Sequence, residues 1–114
     1  MNEQVEALLR TLPRKVKVGA YDWRIVLHDG DNENCGFAEF EFHRISLWPD
    51  TFIDPIHGTG VVLHEVLHAI YANQGLEDPE DDVEEQVING FEQGLIALFR
   101  DNPKLLTWIK RGLK

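Results

Sequence analysis

One cysteine, Cys35, stands alone in the 114 residues, which excludes an internal disulfide and any zinc finger built on several thiolates. No Cys-His signature surrounds it, so a free, partly buried thiol is expected rather than a nucleophile. Long apolar runs are also missing. None approaches the roughly 20 residues that a membrane-spanning helix needs. Basic residues are scarce, 11 against 20 acidic ones, for a formal net charge of −9. A surface that negative repels phosphate backbones, so nucleic acid is not expected as a direct partner. No repeat and no low-complexity linker interrupts the chain, and residues 1–114 are expected to form a single domain. The first six residues are polar and acidic, unlike a secretory signal, so a soluble, cytoplasmic protein is expected.

What is present is ordinary for a globular protein: 43% hydrophobic and 27% charged residues, enough for a core without disulfide staples. The acid is concentrated, with seven of the nine residues from Glu77 to Glu85 being Asp or Glu. That stretch lacks the alternating Asp/Asn and central Gly of a calcium loop. It reads as a solvated loop entering a helix N-terminus, where acids favour the dipole.

Periodicity predicts a short amphipathic helix over 2–12, with Val5, Leu8, Leu9 and Leu12 on one face and Pro13 as its stop. Strands over 15–18 and 21–27 alternate about Gly19-Ala20, as a hairpin does. A polar loop over 29–34 leads to strands over 36–42 and 43–48, the second ended by Pro49. Helices follow over 58–74, 81–101 and 104–113, with Gly75 as a C-cap for the first. The order predicts an α+β domain in which a small, mostly antiparallel sheet packs on two long helices. Trp48, Phe52 and Ile53 are expected in the core rather than in an exposed patch.

The segment Val61-Val-Leu-His-Glu-Val-Leu-His-Ala-Ile70 carries the chemistry. His64 and His68, one helical turn apart, lie on one face, so their imidazoles can converge on one Zn²⁺. Glu65 sits about 100° round the helix, within reach of a metal-bound water, and is the candidate general base. The apolar residues around the motif let the rear of the helix pack in a core while the ligands face a cleft. A catalytic zinc takes three protein ligands and a water. No histidine follows His68, so the third ligand is expected from the helix that starts near residue 81. Glu84 and Glu85 both qualify. Glu84 falls near the middle of that helix's apolar face and Glu85 on its flank, which favours Glu85. Asn89 shares the flank and is a candidate hydrogen-bond partner for a liganding histidine. Tyr71 and His57 lie near the zinc helix in sequence and are the candidates, structural roles aside, for stabilising a transition state.

These residues resemble the gluzincin-type metallopeptidases, in which a second helix supplies a glutamate ligand. More narrowly, the chain is similar to small zincin-like proteins of phages and prophages, distant from the ImmA/IrrE and SprT-like groups. The resemblance covers roughly 36–103: Gly36, His43-Arg-Ile-Ser-Leu47, the block over 63–70, Glu85-Gln-Val-Ile-Asn89, Gly94-Leu95 and Asp101-Asn-Pro103. It implies a zincin-like fold, Zn²⁺ held by His64, His68 and Glu85, and Glu65 as base. It also implies a protein or peptide substrate, and the host cytoplasm if the chain is phage-encoded. It makes the strand over 43–48 the border of the substrate cleft, open to an extended peptide by strand addition. The competing expectation is a zincin-like binding or assembly module without catalysis. An intact Glu65 argues against it, since a structural zinc site has no use for a base there.

Overall fold

The computed structural model describes residues 3–74 and 81–112. Among them the chain forms a small α+β fold with one four-stranded mixed sheet and four helices. Helix α1 (Glu3–Arg10) buries Val5 and Leu9 one turn apart, and the chain leaves it two residues ahead of the expected end. Strands β1 (Lys15–Val18) and β2 (Tyr21–Leu27) form the expected hairpin, with Val18 opposite Tyr21. Its loop is Gly19-Ala20. Gly19 has φ +62°, as the first residue of a tight two-residue hairpin turn can require. A Cβ there would also lie 2.4 Å from the Asn73 side chain, so a larger residue would have to push that amide aside.

Strand β3 (Gly36–Glu39) is shorter than expected. A 3₁₀ turn over Phe40–Phe42 and His43, at φ 47° and ψ 57°, reverse the chain into β4 (Arg44–Leu47). The sheet order is β1-β2-β4-β3. The β1–β2 and β3–β4 pairs are antiparallel, but β2 and β4 run parallel, with Ile25 beside Ile45 and Leu27 beside Leu47. The sheet is therefore mixed: two of its three pairings are antiparallel, as expected of most, and the β2–β4 pairing is parallel. The reason is that β4 inserts between β2 and β3 instead of adding at an edge.

Helix α2 (Pro55–Asn73) begins three residues before the expected start. Asp54 caps it by accepting a hydrogen bond from the His57 N–H at 2.8 Å, and Pro55 takes the first turn, where its missing N–H costs nothing. The expected Gly75 cap lies outside the described residues, as does most of the acidic loop. Helix α3 (Asp81–Asp101) packs on α2, and α4 (Pro103–Gly112) follows from α3.

The core lies between the sheet and one side of α2. Val5, Leu9, Val18, Trp23, Ile25, Ala38, Ile45, Leu47, Phe52 and Ala69 form its buried cluster. Of the three residues expected inside, Phe52 is buried under Gly58, whose missing side chain leaves room for the ring. Trp48 is half-buried and stacks on His28 with ring centroids 4.7 Å apart. Ile53 is exposed.

Candidate metal centre

Helix α2 presents His64 and His68 on the face turned toward α3 and β3. Their Nε2 atoms lie 3.2 Å apart. The Glu85 carboxylate from α3 faces the pair, with one oxygen 2.6 Å from His68 Nε2 and the other 3.5 Å from His64 Nε2. The other ring nitrogens are held separately. His64 Nδ1 is 2.9 Å from a Glu92 carboxylate oxygen, and His68 Nδ1 is 2.7 Å from one of Glu84.

These partners set the tautomers. An ionised carboxylate only accepts hydrogen bonds, so each Nδ1 carries the proton and donates it. A ring that carries its proton on Nδ1 alone has a lone pair on Nε2 to give to a metal. Both Nε2 atoms and the Glu85 oxygens face the same space, a donor set able to hold a cation. Atoms bound tetrahedrally to zinc at about 2.0–2.1 Å lie about 3.3 Å apart. The 3.2 Å between the two nitrogens and the 3.5 Å from His64 Nε2 to Glu85 fit that spacing, whereas the 2.6 Å from His68 Nε2 to Glu85 is a hydrogen-bond length that metal entry would have to open. The residues present therefore suit a small divalent ion with nitrogen and oxygen ligands. His64, Glu65 and His68 also offer one ligand atom each within 4.8 Å of one another.

Glu65 lines the same cleft but is only 7% exposed. Burial pushes its carboxyl up to about 7. Nearby His64 and the backbone N–H of Ala38 oppose that rise, while Glu85 and Glu92 add to it. Glycine makes its place: a Cβ on Gly36 would lie 3.0 Å from Glu65 Cγ and 3.1 Å from Leu47 Cδ2. Gly60 does the same for Glu92, since a Cβ there would lie 3.0 Å from its Oε2. Both glycines thus position acids of the site rather than turns of the backbone.

The cleft has a volume of about 530 Å³. Its lining runs from Asn34 to Ala38 and Phe40 on one side, Val61, His64, Glu65 and His68 along the floor, and Glu84, Glu85 and Glu92 opposite. The sequence-predicted His64, Glu65, His68 and Glu85 come together here, and Glu84 joins them beside His68 rather than facing both Nε2 atoms. The strand that borders the cleft is β3, not the segment 43–48. β4 is paired on both sides by β2 and β3, so no peptide can add to it, whereas β3 is a sheet edge. Asn89 is exposed, and carboxylates hold the Nδ1 atoms instead. His57 is used at the start of α2, where its Nδ1 accepts the Ile53 N–H at 3.0 Å. Tyr71 is not among the cleft-lining residues.

Sequence reasoning missed Glu92. A signal for it exists: Glu84, Ile88, Glu92 and Leu95 share one arc of α3, and an acid inside an apolar arc needs a buried partner. No protein-family model, curated protein or solved structure matches this chain.

Proposed function

We propose that this chain is a zinc-dependent metallopeptidase of the small zincin-like kind, with His64, His68 and Glu85 as metal ligands and Glu65 as general base. The observation that carries the reading is the convergence of two imidazole lone pairs and the Glu85 carboxylate, with both Nδ1–H groups already satisfied by acids. A zinc ion held there would polarise the scissile carbonyl and bring the pKa of its water down toward about 7.

The remaining steps belong to the chain's own groups. Glu65, with a carboxyl poised near neutrality, takes a proton from the attacking water and returns it to the leaving amine. Glu84 and Glu92 keep the proton of each imidazole on the outer nitrogen, so both inner nitrogens stay available as ligands. The open side of β3 offers backbone N–H and C=O groups to an extended peptide, which aligns it along the cleft. Among the described residues no helix is long and apolar enough to cross a membrane. The substrate we propose is a protein or peptide rather than a nucleic acid, met in the cytoplasm, that of a host cell if a phage encodes the chain.

Purification without chelator, followed by metal analysis of the parent and of Glu65→Gln, tests the reading. Both should hold about one zinc per chain. Peptide hydrolysis should fall about 10²- to 10⁴-fold in the variant, the contribution of a positioned base. A parent that stays metal-free in supplied zinc would falsify the proposal. Zinc uptake with equal biological activity in both proteins would favour a binding or assembly module instead.

A further inference from the structure

We infer that the cleft accepts an extended peptide in which a large apolar side chain stands next to a basic one. This rests on the metallopeptidase reading above and names its substrate class.

Two kinds of chemistry line the cleft. On the β3 side, Phe37 and Phe40 line the cleft while 52% and 39% exposed. Aromatic rings left in water beside a groove gain most when a bound apolar group covers them. On the α3 side stand Glu84, Glu85 and Glu92, with Glu65 at the floor. No lysine or arginine is among the lining residues described. Four acidic side chains against one divalent ion leave an excess of negative charge in the cleft. The loaded cleft therefore remains anionic, and its low-dielectric walls focus that field on whatever enters. The chain's net charge of −9 adds attraction of the same sign at longer range. An acidic segment meets repulsion throughout, and a small neutral one leaves the phenylalanines uncovered.

Binding to the zinc-loaded Glu65→Gln protein tests this without turnover. The probes are three fluorescent ten-residue peptides: one with Phe-Lys-Phe-Lys at its centre, one with Phe-Glu-Phe-Glu, and one with Ala-Lys-Ala-Lys. Anisotropy titration should give the first a Kd at least about tenfold below that of the second at low salt. The gap should narrow as ionic strength rises toward about 0.5 M. Phe37→Ala, a change at an exposed edge position, should weaken the first peptide about three- to tenfold and leave the third unchanged. Equal affinities, tighter binding of the acidic peptide, or no binding of any peptide overturns the substrate class. Zinc content measured on the same samples keeps the two ideas apart. A protein that takes no zinc fails the metallopeptidase reading, whereas a zinc-loaded protein without preference fails only this inference.

Discussion

The sheet with its side of α2 and the α3–α4 pair are held together by different forces. In the first region, apolar side chains from α1, all four strands and α2 form one buried cluster, and Ile45, Leu47 and Val5 are fully enclosed. In the second, Ile88 is the buried hydrophobic residue of α3, α4 has none among its described residues, and Val83, Val87, Phe91, Leu98 and Trp108 stand exposed. What ties α3 to α2 instead is a row of carboxylates, Glu84, Glu85 and Glu92, on the two histidines. The site therefore adds its own ties to a helix whose Ile88 is buried and whose Leu95, Ile96 and Phe99 are half-buried. Anything that strengthens the donor set should order α3, and the core should not notice. A ligand that binds only the folded arrangement stabilises it by mass action, about 2.7 kcal/mol at a hundred times its dissociation constant. That gain should be concentrated in α3.

The largest effect should come from the core. Leu47→Ala removes a fully buried side chain from the strand at the middle of the sheet, at a cost of about 2–5 kcal/mol. Urea denaturation should register that loss, while the molecules still folded bind zinc as the parent does. A weaker zinc affinity in this variant would mean that the two regions are coupled more tightly than their contacts suggest. A smaller and differently placed effect is expected from Glu92→Gln and from Glu84→Gln. Each should weaken zinc binding about 10- to 100-fold, the usual reach of a histidine's hydrogen-bond partner. Hydrogen exchange should show α3 amides losing protection in these variants, with β2 and β4 unchanged. Equal loss across sheet and helix would erase the distinction between the regions.

The same division decides what was legible in the sequence. Helix and strand positions followed from periodicity and from Pro13, Gly19 and Pro49, because local chemistry dominates there. The placement of β4 did not, since a parallel pairing with β2 is a tertiary choice that no two-residue turn announces. That one displacement moved the cleft border from 43–48 to β3. At the site, His64, Glu65 and His68 declared themselves by spacing on a single helix. Glu85 followed from helix geometry, because its flank position differs from that of Glu84. Glu92 stayed hidden because its role depends on how far α3 overlaps α2, which spacing within one helix cannot set. Gly36 was noticed only through resemblance. Its physical reason, room for the Glu65 side chain, exists only once β3 lies against α2.

The smallest effect should come from the end of the β3–β4 hairpin, and it sharpens the contrast by being electrostatic yet outside the candidate metal centre. Arg44 Nε donates a hydrogen bond to Glu39 Oε2, and the Arg44 guanidinium also lies over the Phe42 ring, 4.9 Å from its centroid. That hydrogen bond is the main cause holding the Glu39 carboxyl below its ordinary value of 4.5, with burial opposing it and the Arg44 charge and Ser46 hydroxyl assisting. A carboxyl lowered in the folded state binds fewer protons than in the unfolded chain. Its stabilisation is therefore fully present above the unfolded value of 4.5 and is lost as pH falls through the lower folded one. The side chains of the pair are about a quarter to a third exposed, so solvent screens the interaction and its contribution is small. Glu39→Gln should thus be slightly less stable than the parent from pH 7 down to about 5, and the difference should shrink in more acidic urea titrations. Zinc affinity at neutral pH should be the same in both. A difference in stability that stays constant down to pH 3 would assign the contribution of Glu39 to packing rather than to charge.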